Sequence, residues 1–126
     1  MSYIRHKSDE SIEDYLETIL LLSKKRTKVR SIDIVSELGY TKASVSIAMK
    51  GLREKGLVLM DEDGYLSLTE EGSKKAEKVL EKHELISNWL IKLGVSKDVA
   101  IEDACRIEHD ISDETFDLLK KHCLTK

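Results

Sequence analysis

This sequence predicts a mainly α fold with one short β-hairpin. Three features predict it: no proline and only six glycines, 36% charged residues, and apolar residues that recur at helical spacing along most of the length. The 126 residues suffice for one substantial core or two small subdomains, and 40% apolar content is ordinary for a globular chain. A large multidomain enzyme is excluded.

Ile12, Tyr15, Leu16, Ile19 and Leu20 fall at i, i+3, i+4, i+7 and i+8, which predicts an amphipathic helix over about 9 to 25. Asp14 and Glu17 lie off its apolar stripe, one turn apart. Ser31 is placed to cap a short second helix with Ile32, Val35 and Leu38 on one face, and Gly39 ends it by accepting a left-handed backbone. Thr41 caps a third helix whose stripe is Val45, Ala48, Met49 and Leu52, and Gly56 closes it. Residues 57–60 and 65–68 suit strands, with Asp61, Glu62, Asp63 and Gly64 supplying hairpin-turn chemistry between them.

Thr69 then starts a long helix, with Glu70 and Glu71 in the first turn, where the helix dipole favours negative charge. Its stripe is Ala76, Val79, Leu80, Ile86, Leu90 and Leu93, with His83 in register, and Gly94 ends it. Ser96 and Ser112 are cap candidates for a fifth and a sixth helix.

Two short helices around a glycine turn, followed by a hairpin, give the order of a winged helix-turn-helix with a two-stranded wing. The expected organisation is therefore a winged helix-turn-helix DNA-binding domain over 1–70 and an all-helical domain over 71–126. The net charge of −3 conceals a segregation that fits this division. Residues 24 to 55 carry nine Lys/Arg (Lys24, Lys25, Arg26, Lys28, Arg30, Lys42, Lys50, Arg53, Lys55) against three acids, a balance of +6, leaving −9 elsewhere. A basic block in an acidic chain is the footprint of a phosphate-binding module.

The recognition helix is then 41 to 55. With its stripe turned to the core, Ala43, Ser44, Ile47 and Lys50 face outward, and the DNA-contacting set is Arg30, Thr41, Lys42, Ala43, Ser44, Ser46, Ile47 and Lys50. Arg30, Lys42 and Lys50 suit phosphate, Ser44 can hydrogen-bond a base edge and Ile47 can touch a thymine methyl. No Arg, Asn or Gln that could read a base bidentately lies on that face, so specificity rests on shape and methyl contacts.

Ile101, Ala104, Cys105 and Glu108 repeat at i, i+3, i+4 and i+7 on the fifth helix, placing a thiol and a carboxylate on the stripe expected to be buried, with His109 beside it. A buried carboxylate requires compensation, which a coordinated cation supplies. Cys105, Glu108 and His109 offer S, O and N donors from one helical face. His83 can add a second imidazole if the two helices pack, and Asp14 with Glu17 can add oxygens.

No stretch approaches the roughly 18 apolar residues of a membrane span, and the opening MSYIRHKSDE lacks the apolar core of a secretory signal. A cytoplasmic protein with no membrane partner is expected, its two cysteines, Cys105 and Cys123, reduced.

The segments Ile12-Glu13-Asp14-Tyr15-Leu16-Glu17, Lys82-His83-Glu84-Leu85 and Ala104-Cys105-Arg106-Ile107-Glu108-His109 resemble the three metal-ligand segments of the diphtheria-toxin-repressor family, which includes the manganese transport regulators. Order and spacing match along nearly the whole chain. The resemblance implies a homodimer paired through its C-terminal helices that binds double-stranded operator DNA when Mn(II) or Fe(II) is bound and represses metal-uptake genes. Under it, Asp14, Glu17, His83, Glu108 and His109 match ligands of the manganese-responsive branch. Cys105 stands where that branch has glutamate and the iron-responsive branch has cysteine.

Ser87 and Ile101 occupy positions of the iron branch's ancillary site and cannot supply its ligands. A minimal two-domain member, without the SH3-like domain of iron-type relatives, is expected. Exchanging a carboxylate for Cys105 removes two oxygens, one of which could bridge a metal pair, so one metal per subunit is expected. Thiolate pulls toward Fe(II), Co(II) or Zn(II) while Asp14 and Glu17 pull toward Mn(II), and the choice stays open. The rival readings are a winged-helix regulator that senses a small ligand or oxidation of Cys105, a metal buffer, and a small metal-dependent hydrolase. The last leaves the basic helix-turn-helix unexplained.

Overall fold

The computed structural model describes residues 7–26 and 28–124. In chain order these form α1 (Lys7–Lys25), β1 (Val29–Arg30), α2 (Ser31–Leu38), α3 (Lys42–Glu54), β2 (Val58–Met60), β3 (Tyr65–Leu68), α4 (Glu70–Leu93), α5 (Lys97–Asp110) and α6 (Asp113–Leu124). The outermost residues of the two expected halves, 1–6 and 125–126, lie outside the described residues. Two compact units result, one over Lys7–Glu77 and one from Lys78 onward.

In the first unit, Tyr15, Leu16, Ile19 and Leu22 of α1 meet Ile34, Val45, Met49, Leu52, Leu57, Val58 and Leu66 in one core, with Ile12 and Leu20 at its margin. The helical stripe expected of α1 is thus the buried one. The helix-turn-helix forms with Gly39 in the left-handed region at φ 72°, and Thr41 Oγ1 accepts the Ser44 N–H at 3.1 Å to start α3. The hairpin turn closes through Asp61, whose carboxylate accepts the N–H groups of Asp63 and Tyr65, both at 2.9 Å, while Gly64 supplies φ 84°.

The expected hairpin forms between β2 and β3, and a third strand that the sequence did not announce joins its sheet in the antiparallel order β1-β3-β2, because Val29 and Arg30 pair with Leu66 and Tyr65. Two residues are too few to show the alternation by which a strand is read from sequence. In α2 the N-cap is Arg30 rather than Ser31, with the Arg30 N–H donating to the Asp33 carboxylate at 2.8 Å. Ile34 takes the core position and Ile32 is 48% exposed. Eight residues make little more than two turns, so apolar side chains at 32, 34, 35 and 38 fit more than one face.

At the start of α4, the Thr69 hydroxyl donates to the Gly56 carbonyl at 2.7 Å and accepts the Gly72 N–H at 3.0 Å. Gly72 is buried directly against the Leu57 backbone, and Ala76 joins the winged core. The first turns of α4 therefore belong to the first unit, which is why the units divide at 77/78.

The second unit packs α4, α5 and α6 around Val79, Ile86, Ala100, Ala104 and Phe116. Lys82, 6% exposed, lies 5.8 Å from the Phe116 ring centroid and 3.2 Å from Asp113. Lys78 and then Lys82, by hydrogen bonding to Asp113, hold that carboxyl below its ordinary range. The Ser112 hydroxyl accepts the Thr115 N–H at 3.2 Å and caps α6. Ser96 takes the N-cap position of α5, but its carbonyl rather than its hydroxyl makes the bond, to the Ala100 N–H at 2.8 Å.

The buried line of α5 is also corrected. Ala100, Ala104 and Glu108, spaced four apart, face inward, whereas Ile101 is 38% exposed and Cys105 is exposed. Ala100 and Ala104 are fully buried, so the small residues take the inward face. Leu93 and Leu118 are 64% and 60% exposed in the single chain. Leu85, Asn88, Trp89, Lys92, Leu93, His122 and Cys123 line a cleft of about 470 Å³. Among the described residues no helix is long and apolar enough to cross a membrane.

Candidate metal centre and nucleic-acid face

Packing of α4 against α5 brings together groups separated by more than twenty residues of chain. His83 Nδ1 is 2.8 Å from Glu108 Oε2 and 3.7 Å from Cys105 Sγ. One donor atom from each of His83, Cys105 and Glu108 lies within 4.8 Å of the others. On the next residue of α5, His109 Nε2 is 3.4 Å from Glu108 Oε1. Ser87, one turn beyond His83, donates its hydroxyl to the His83 carbonyl at 2.7 Å and so sits on the backbone, not among these donors.

Burial is graded across the cluster. The Glu108 side chain is 1% exposed, His109 4%, His83 21%, and Cys105 lies at the surface. An ionised carboxylate this deep is costly in an apolar setting, and here it is held between two imidazoles. The donors also suit a cation chemically. Imidazole nitrogen, thiolate and carboxylate bind first-row divalent metals at about 2.0–2.3 Å, so a triad spread over less than 5 Å fits around a single ion.

Of the expected metal ligands, the structure therefore gathers His83, Cys105 and Glu108, with His109 against the second Glu108 oxygen. Asp14 and Glu17 belong to the other compact unit, where both are half-buried on α1, one turn apart. Tyr15, beside Asp14, stacks edge-on against Tyr40 at 5.9 Å. Burial, then the charge of Tyr40 and of Asp14, raises the Tyr15 phenol above its ordinary pKa.

The nucleic-acid candidates occupy the open side of the first unit. Lys42, Ala43, Ser44, Ser46, Ile47 and Lys50 are all exposed on α3, as are Thr41 at its cap and Arg30 on β1. Ile47, 74% exposed, has no role in the core and faces water. The Thr41 hydroxyl also donates to Ser44 Oγ at 2.9 Å, so these two side chains hold each other at the start of the helix. The sequence reading missed Lys28 and Tyr65. Lys28 Nζ lies 4.6 Å and Arg30 Cζ 4.3 Å from the Tyr65 ring centroid. The signal for this contact is the β1–β3 register, which is invisible until β1 is known to be a strand.

Comparison with known proteins assigns both halves. Residues 8–71 match the iron-dependent repressor N-terminal DNA-binding domain, and residues 69–124 match the iron-dependent repressor metal-binding and dimerisation domain. The chain is 36% identical over 111 residues to the transcriptional regulator MntR of Escherichia coli (strain CFT073), covering 88% of this chain and 72% of that protein. It is 35% identical over 113 residues to an uncharacterised helix-turn-helix-type transcriptional regulator of Methanocaldococcus jannaschii, covering 88% of this chain and 90% of the relative. A manganese-dependent transcriptional repressor in complex with manganese superposes with a TM-score of 0.80 at 26% identity, over 88% of this chain. The chain spans 51% of that structure's length. With both domain models matched in order over residues 8–124 and with relatives that are regulators rather than enzymes, the chain belongs to the iron-dependent repressor family, the diphtheria-toxin-repressor type whose ligand segments it resembles.

Proposed function

We propose that this protein is a cytoplasmic, metal-dependent transcriptional repressor that binds double-stranded operator DNA as a homodimer when Mn(II) or Fe(II) is bound, and so controls metal-uptake genes. The observation that carries this reading is the convergence of His83, Cys105 and Glu108 on one small volume around a buried carboxylate, in a chain whose other half exposes a basic recognition helix. Residues 1–70 act as the DNA-binding half and 71–126 as the metal-binding and dimerisation half. The exposed Leu93, Ile101 and Leu118 give the second half apolar surface for a second copy to cover.

On this reading His83, Cys105, Glu108 and His109 would hold the ion, with Asp14 and Glu17 as the further ligands that the family resemblance implies. When bound, the cation supplies positive charge that lets these carboxylates and the thiolate share one site. Without it, the buried Glu108 lacks the cation's positive charge, and DNA binding must bear the ordering cost of the recognition helices. Cation and operator therefore strengthen each other's binding reciprocally. Duplex binding measured by anisotropy with and without Mn(II), Fe(II), Co(II) and Zn(II) tests this. Affinity is expected to rise at least about tenfold with the effector metal, and equal affinity of the apo and loaded protein would remove the switch.

In the same assay, Lys50→Ala should weaken binding to every duplex about equally and flatten the dependence on salt by about one phosphate's worth of slope. A loss confined to one base position would instead make Lys50 a reader of sequence.

A further inference from the structure

Lys28 and Arg30 meet over a single aromatic ring. Arg30 pairs in register with Tyr65, and Lys28, immediately before β1, reaches the same ring. Both cationic heads end within 4.6 Å of the Tyr65 ring centroid. A ring's quadrupole attracts each cation and fixes its direction, but it cancels no charge.

The neighbouring acids are committed elsewhere. Asp33 takes the Arg26 guanidinium at 2.7 Å and the Arg30 N–H, and Asp61 accepts the Asp63 and Tyr65 amides of its own turn. Among the described residues no carboxylate forms an ion pair with Lys28 or Arg30. Two like charges held together without a counter-charge make a seat for an anion. A planar guanidinium fork beside a flexible ammonium suits a phosphate oxygen pair.

We propose that Lys28, Arg30 and Tyr65 form a phosphodiester clamp at the β1–β3 edge, in which the two cations bind one backbone phosphate of duplex DNA and Tyr65 is the positioning residue that aims them. The clamp rests on the reading of the first unit as a DNA binder. It adds an anchor outside the recognition helix that carries no sequence information.

The test is fluorescence anisotropy with a labelled duplex of arbitrary sequence, about 30 base pairs or three turns long, titrated with the Mn(II)-loaded full chain over a range of salt. Lys28→Ala is expected to lower affinity several-fold and reduce the log–log salt slope by about one. Tyr65→Leu should do the same although both cations remain, while Tyr65→Phe, which keeps the ring, restores the slope. Pure loss of fold would instead lower the melting temperature without this rescue. Should Lys28→Ala keep the parent slope while Lys50→Ala flattens it, the clamp is overturned and the DNA reading survives. Should the parent protein bind no duplex at low salt, both fall.

Discussion

Gly72→Ala will destabilise the winged unit more than any other single methyl addition at a glycine of this chain. A Cβ at position 72 would lie 2.0 Å from the Leu57 carbonyl oxygen and 3.0 Å from its carbon, and both are backbone atoms of the segment that leads into β2. No side-chain rotation relieves such a contact. The first turn of α4 must move, and with it the Thr69 hydroxyl that ties α4 to Gly56 and the Ala76 side chain in the core. Overpacking of this kind costs about 3 kcal/mol or more, which for a unit of this size lowers the unfolding midpoint by roughly 10–20 °C. Circular dichroism melting of the purified variant checks it, and an unchanged midpoint would mean that the close approach of α4 to Leu57 is wrong. Alanine at Gly51, where an added Cβ meets nothing within 4 Å, is the matched control.

Glu108→Gln should abolish metal sensing while leaving the helical unit folded. The substitution keeps the volume of a side chain that is 1% exposed and removes the buried negative charge at the centre of the donor cluster. Loss of a central carboxylate ligand is expected to lower metal affinity by about 100-fold or more, beyond the roughly 10–100-fold seen when only a supporting partner is removed. Equilibrium dialysis with Mn(II) and Co(II) reads the affinity directly, and duplex binding by the same variant should no longer respond to metal. Affinity within a few-fold of the parent would place the ion elsewhere and sink the proposed centre. Melting of the metal-free variant separates this from collapse of the fold, since a buried carboxylate exchanged for its amide loses a desolvation penalty as well as a partner.

Much of the architecture could be read from residues alone, and the reason differs by element. The α1 stripe from Ile12 to Leu20 spans enough turns for the 3.6-residue period to choose one face. Gly39 and Thr41 announce the helix-turn-helix because each does a backbone task few residues can do. Where the signal was shorter, the reading slipped. Ile32 was assigned to the core that Ile34 occupies, and β1 was invisible because two residues carry no period. On α5 the large side chain of Ile101 suggests the buried face, but Ala100 and Ala104 are the residues that turn inside.

The metal cluster was legible in a different sense. His83 and Glu108 are 25 positions apart, and nothing in local spacing makes them neighbours at 2.8 Å. Helical register nominated them on condition that the two helices pack, the resemblance of three segments to a known family strengthened the pairing, and packing of α4 on α5 brings them into contact. Tyr65 escaped notice because its role depends on a strand pairing and not on its own chemistry.

The graded burial of the donors bears on how the proposed centre would be filled. The Glu108 side chain is 1% exposed and His83 21%, while Cys105 lies at the surface. On that reading the thiol is the donor an arriving cation would meet first and the carboxylate the one it would meet last, so loading would run from the soft ligand outside to the hard one within.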